Sequence, residues 1–165
     1  MQIRNGNNQK YEHTFQLGIL GIDLASEGPI SRKHGSSYIF NYRFSTTSLA
    51  TGNDMNLKYQ DLSFKLNFPT RKAGTFSIWG IGLIDRYKPE AIDRDEWETQ
   101  GDRQSGNTAF DKAAGGLTHK YLINADTYIR SSLAATYSKD RTRADQITED
   151  DKLVHVGDIR NSKWD

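Results

Sequence analysis

The densest run of groups able to bind or react lies between Glu90 and Asp102 (EAIDRDEWETQGD). Asp93, Asp95, Glu96 and Glu98 could supply oxygen ligands to a hard cation such as Ca2+. The run lacks the glycine that an EF-hand loop needs at its sixth position, and Arg94 and Arg103 are interleaved with the acids. A solvated loop is therefore the expected state. Trp97, with Arg94, Asp95, Glu98 and Arg103 around it, forms a candidate ligand-contact set, because an indole ring stacks on a sugar or an aromatic group. His13, His34, His119 and His155 lie far apart with no partner at metal-ligand spacing, and cysteine is absent. No metal and no other cofactor is expected. Gly80-Ile81-Gly82 is followed by Asp85 where a dinucleotide fingerprint places its third glycine. No Ser, His and Asp set stands in a nucleophile context, so the chain is not expected to be an enzyme. Asp23 and Glu27 lie in apolar surroundings, which could mark buried functional carboxylates or groups of the framework.

The 165 residues hold 22 Lys plus Arg and 21 Asp plus Glu. A net charge of +1 gives no broad attraction to nucleic acid, which is not expected as a partner. Hydrophobic residues make up 35% of the chain, which argues against a large two-sided core. The mean hydropathy of −0.76 and the lack of a long apolar run exclude membrane-spanning helices. They do not exclude a membrane barrel, whose strands average out polar. Met1 to Lys10 lacks the apolar core of a signal peptide, so any export signal is expected outside this sequence.

The elements that must position these groups are strands. Tyr38, Phe40, Tyr42 and Phe44 alternate with Ser37, Ile39, Asn41, Arg43 and Ser45. Leu57 to Phe68 sets Leu62, Phe64, Leu66 and Phe68 against Asp61, Ser63, Lys65 and Asn67. Gly74–Asp85, Leu117–Ile123 and Tyr128–Tyr137 read as further strands, and Leu153–Trp164 as the start of another. Tyr11–Leu24 reads as one strand whose phase slips at a bulge beside Gly18 and Gly21. Arg32–Gly35 (RKHG), Arg71–Gly74 (RKAG) and Asn124–Asp126 (NAD) are short turns, whereas Thr46–Asn56, Arg86–Asp111 and Ser138–Lys152 read as long polar links.

With antiparallel neighbours, the short turns fall at one end and the long loops at the other, where Asn5–Asn8 is expected to join them. That asymmetry marks an outer-membrane barrel, and the expected fold class is an all-β, antiparallel up-and-down meander forming a segment of a transmembrane β-barrel. Tyr38, Tyr42, Tyr59 and Trp79 are candidates for the interfacial aromatic girdles. Arg43, Asp61, Lys65 and Asn67 are candidates for the watery lumen or the plug contact. Six complete strands and partial ones at both ends fall short of the eight or so a closed barrel needs, so residues 1–165 read as a minimal barrel or a piece of a larger one.

The runs Arg4–Asn8 (RNGNN), Gly18–Pro29 (GILGIDLASEGP) and Gly35–Ser45 (GSSYIFNYRFS), followed by Tyr59–Phe68 (YQDLSFKLNF) and Ala73–Phe76 (AGTF), resemble the start of the barrel in TonB-dependent outer-membrane receptors. The likeness is nearest to the branch that carries a carboxypeptidase-regulatory-like domain ahead of its plug. It covers about the first half of the chain clearly and continues more weakly through Phe110–Tyr137. The resemblance implies a barrel of 22 strands, of which residues 1–165 supply roughly the first third, located in the cell outer membrane among its lipids. It further implies a plug domain, an energy-transducing TonB complex as partner, and import of a bulky nutrient such as a siderophore or a glycan. The alternative reading from the residues is a complete small barrel that binds a hydrophobic ligand inside, lipocalin-like, with its apolar face turned inward.

Overall fold

The computed structural model describes residues 3–19, 21–45, 55–89, 94–98, 103–148, 150 and 152–165. They form eight strands: β1 (Glu12–Gly18), β2 (Gly21–Ser31), β3 (Ser36–Ser45), β4 (Met55–Pro69), β5 (Thr75–Pro89), β6 (Gln104–Leu122), β7 (Tyr128–Ile147) and β8 (Leu153–Trp164). A 3-10 turn, Arg94–Glu96, lies in the link between β5 and β6. Every strand pairs antiparallel with the next, in one sheet of order β1 to β8. The all-β up-and-down meander read from the alternation is the observed fold. No ladder joins β1 to β8 among the described residues, so the sheet is open and keeps two free edges.

The register makes the period-two faces of all strands coincide. One row of paired residues runs Phe15, Leu24, Tyr42, Leu62, Gly82, Ala113, Tyr137 and Trp164 across the whole sheet. The adjacent row on the opposite face runs Gln16, Asp23, Arg43, Asp61, Leu83, Lys112, Ser138 and Lys163. The sheet thus has an apolar face and a polar face. Among the described residues no aliphatic or aromatic side chain is buried, and the most covered side chains are small or polar, Ser37 and Asn67 among them. The apolar face is uncovered, with Phe15 66% and Leu133 74% exposed.

Gly35 and Gly74 close the turns after β2 and β4 with φ of 67° and 79°, a left-handed conformation that glycine adopts without strain. The structure corrects four of the expectations. Tyr11–Leu24 is a hairpin, not a bulged strand: Gly18 pairs with Gly21, and the phase slip is a two-residue reversal. The bulge lies further on, between Pro29 and Ser31, so Gly28-Pro29 does not end β2. Both ends of Arg86–Asp111 and most of Ser138–Lys152 are strand, because β5 runs to Pro89, β6 starts at Gln104 and β7 continues to Ile147. Two of the four links at that end, 19–20 and 148–152, are therefore short, and the contrast between the two ends is weaker than expected. Finally, Asn5–Asn8 lies at the opposite end, since the Asn7 amide donates to Glu27 and Glu27 pairs with Glu12 at the start of β1.

Candidate functional site

Arg43, Asp61, Lys65 and Asn67 share the polar face, placed there by strand alternation alone. Arg43 sits opposite Asp61 and donates from Nε to Asp23 Oδ1 at 2.8 Å, while the Tyr59 hydroxyl donates to Asp61. Asn67 Oδ1 accepts from Ser77 Oγ at 3.1 Å in a buried pair. Lys65 turns to the N-terminal segment and donates from Nζ to the Ile3 carbonyl at 2.8 Å. That segment is a strap across β2, β3 and β4. Arg4 grips Glu27 with both terminal nitrogens, at 2.7 and 2.5 Å, and Asn7 N donates to the same carboxylate at 2.8 Å. Gly6 lies so close to the Tyr38 carbonyl that any side chain would collide with it. Glu27 thus ties the strap to β2, and Asp23 is paired with Arg43. Past the strap, Ile3, Lys65, Trp79, Ile81, Thr118 and Arg130 line a cavity of about 330 Å³.

On the other face, β5, β6 and β7 each carry a nine-residue, largely apolar stretch, Phe76–Ile84, Ala113–Tyr121 and Ile129–Tyr137, counted along the side that faces away from the polar residues and broken only by the paired His119 and Ser131. Each stretch ends at a charge two residues on: Arg86, Asp111 and Lys139. The charges on β6 and β7 pair directly, Asp111 with Lys139, whereas Arg86 lies two residues further along, opposite Ala109, because Ile84 pairs with Asp111. Aromatic pairs stand near both ends of the band. Phe76 stacks on His119 with centroids 4.4 Å apart, and Tyr137 meets Trp164 at 4.4 Å. Tyr38 and Tyr42 lie on this face, but Tyr59 and Trp79, expected in the same girdles, lie on the polar face beside Asp61 and Lys65. Trp79 covers Gly116 there, as Phe64 covers Gly80 on the apolar side.

Beyond the band the same face turns ionic. Asp111 bridges Arg86 and Arg141, the second at 2.8 Å, and Arg160 pairs with Asp158 at 3.0 Å. Sequence reasoning missed this rim because it read these segments as loops. The signal was present in the period-two spacing of Lys139, Arg141 and Arg143. Nearer the β7–β8 link, a bulge at Ala144/Asp145 sets Asp145 opposite His155, and the two side chains meet at 2.8 Å. The hydrogen bond from His155, with those from Arg143 at 2.9 and 3.1 Å, holds the Asp145 carboxyl below the usual aspartate range.

In the β5–β6 link, Arg103 lies over the Trp97 ring at 5.4 Å, so two of the ligand-contact candidates meet. Asp95 and Glu98 are exposed nearby and Arg94 opens the 3-10 turn. Asp93 and Asp102 of the acidic run lie outside the described residues. Among the described residues, no three of His, Cys, Asp and Glu gather as a metal site. Among the described residues no helix is long and apolar enough to cross a membrane. Comparison of the chain with protein-family models, curated proteins and solved structures finds no match.

Proposed function

We propose that this sheet is part of the wall of an outer-membrane β-barrel of the TonB-dependent receptor kind, with the apolar face toward lipid and the polar face toward the lumen. The observation that carries the reading is the largely apolar band on β5, β6 and β7, each stretch nine residues long with at most one polar side chain on this face, and closed by charges within two residues of one level. A tilted strand crosses the hydrocarbon layer in about 9 to 11 residues. A soluble sheet with this face uncovered would expose more contiguous apolar surface than water-soluble monomers carry. The open edges of β1 and β8 favour a piece of a larger barrel over a closed eight-stranded ligand binder. The receptor kind rests on the resemblance of RNGNN and the two hairpins after it, and import of a bulky nutrient, the plug and the TonB complex follow from that resemblance.

On this reading the strap at Ile3–Asn8 lies inside the wall, and Arg43, Asp61, Lys65 and Asn67 face whatever fills the lumen. The chain has no cysteine, so single cysteines introduced into it can be labelled with an environment-sensitive dye. In the full-length protein reconstituted in vesicles, labels at Leu117 and Leu133 should be quenched by doxyl-lipid, and labels at Ser132 and Thr136 by aqueous iodide. The reverse pattern would overturn the assignment of the two faces. Uptake that persists without the energy-transducing partner would overturn the receptor kind while leaving the membrane orientation standing.

A further inference from the structure

The ionic rim beyond the apolar band is used neither by the fold's turns nor by the polar face. Resting on the membrane orientation proposed above, we propose that the rim formed by Lys139 and Arg141, with Arg86 and Arg160 beside them, is a docking site for phosphate-bearing lipid headgroups. Three observations point to it. First, position: Lys139 is two residues past Tyr137 on the same face, about 7 Å along the strand from the end of the apolar stretch. That is where headgroups meet a barrel wall, and a soluble anion would have no reason to seek a site continuous with a greasy band. Second, charge: Arg86, Lys139, Arg141 and Arg160 stand on this face against the carboxylates of Asp111 and Asp158, an excess of cations among residues whose registers coincide. Third, unused donors: the Lys139 side chain has no hydrogen bond or ion pair among the described residues, and the partly exposed Arg141 guanidinium bonds Asp111 through one terminal nitrogen. Asp111 already holds the terminal nitrogens of Arg86 and Arg141, which fixes both guanidinium groups in place.

Between these side chains lies a shallow depression of about 540 Å³, lined by Lys139, Arg141 and Arg160 and floored by Asn107, Ala109 and Ser162. A phosphate there would accept from the Lys139 ammonium and from the guanidinium of Arg141, while the acyl chains of the same lipid ran down over Tyr137 and Leu133. The lipid thereby joins two features of one face that a free phosphate would use only in part. A cation near an anionic membrane surface contributes about fivefold to binding, so removing two should cost roughly 20-fold.

The test uses the full-length protein in detergent, titrated with short-chain phosphatidic acid or short-chain phosphatidylcholine and read by native mass spectrometry. Heat-modifiable gel migration is measured on the same samples. The wild type should retain phosphatidic acid in preference to phosphatidylcholine, and glycerol phosphate at equal concentration should fail to compete. K139Q/R141Q should lose phosphatidic acid by roughly 20-fold while still migrating as a folded barrel, and K139R/R141K should restore retention. If K139Q/R141Q does not fold, K139Q alone carries the test, because that side chain has no protein partner to lose. Equal retention by the folded variant and the wild type would overturn the proposal, as would effective competition by glycerol phosphate, which would make the rim a soluble-anion site. A wild type that shows no heat-modifiable migration would instead bring down the membrane reading itself.

Discussion

Leu133→Arg separates a lipid-facing sheet from one that faces water. Leu133 is the midpoint of the Ile129–Tyr137 stretch and is 74% exposed, so the substitution breaks no internal packing. At such a position in water, a change of side chain is worth within about 0.5 kcal/mol. Four residues of strand on either side amount to roughly 13 Å, or about 10 Å of depth at a 40° tilt. The guanidinium would thus start near the middle of an apolar layer about 25 Å tall, where Arg costs roughly 2–4 kcal/mol. Its long stem lets the charge reach toward the nearer surface, which favours the lower end of that range. A cost of about 2 kcal/mol lowers the folded-to-unfolded ratio about 30-fold. The assay is the urea midpoint of the full-length protein in phosphatidylcholine vesicles, followed by heat-modifiable migration. Thr136→Arg is the comparison: Thr136 is exposed on the polar face opposite Ala114, and the change there should stay within about 0.5 kcal/mol. The reasoning is refuted if Leu133→Arg unfolds with the wild type, or if Thr136→Arg loses as much.

Gly80→Val should cost about 1–3 kcal/mol by overpacking, since a Cβ at Gly80 would stand 2.6 Å from Phe64 Cε1. Thermal loss of the compact gel form reads this, and adding Phe64→Ala should recover most of it. Arg4→Ala should leave the urea midpoint within about 1 kcal/mol, because the Arg4 side chain is 65% exposed and such pairs contribute little. Hydrogen exchange at the Asn7 amide should nevertheless accelerate as the strap loosens, and unchanged protection there would show that the ion pair does not hold it. The Asp145 carboxyl is depressed chiefly by its hydrogen bond with His155. Its contribution to the β7–β8 hairpin is therefore complete above the unfolded value of about 3.9 and is lost as pH falls through the lower folded value. Protection factors at Ala144 and Gln146, taken against the intrinsic exchange rate at each pH, should fall below about pH 4 and should not change there in Asp145→Asn.

The strand pattern was legible wherever one face is apolar and the other is not. Ser37–Ser45 and Leu57–Phe68 show the alternation directly, and their partners followed from antiparallel order. The upper halves of β6 and β7 were illegible because hydropathy alternation fades where both faces are polar. At Asp111 and Arg141 the ladder is supported by cross-strand ion pairs, which a hydropathy pattern does not register. The first hairpin was missed for a different reason. Gly18 and Gly21 flank a reversal too short to carry the polar turn residues that identified RKHG and RKAG, so the change of phase resembled a bulge. Of the candidate sites, the polar-face quartet needed only period two. The Glu27 clasp on Arg4 and Asn7 joins residues 23 and 20 positions apart in the chain, and no local pattern specifies it.

The free edges constrain the membrane reading further than the faces do. β1 is only seven residues long and exposed at every position, and β8 is exposed along nearly all of its length. In hydrocarbon each unpaired backbone N–H or C=O costs several kcal/mol, so neither strand can border lipid without a neighbour on its outer edge. The two edges are unequal in what they can accept. β1 offers only Phe15 and Leu17, with His13, to the apolar face, enough for a short partner strand. β8 places Trp164 on that face and Asp158 and Arg160 beyond the band, so a partner there must continue both the greasy level and the ionic rim. A single cysteine at Ser162, cross-linked in intact membranes, should capture the next strand of the wall at the level of Lys139, its cross-strand neighbour. Capture of a cysteine placed in β1 of the same molecule would instead close the barrel at eight strands and remove the larger-barrel reading.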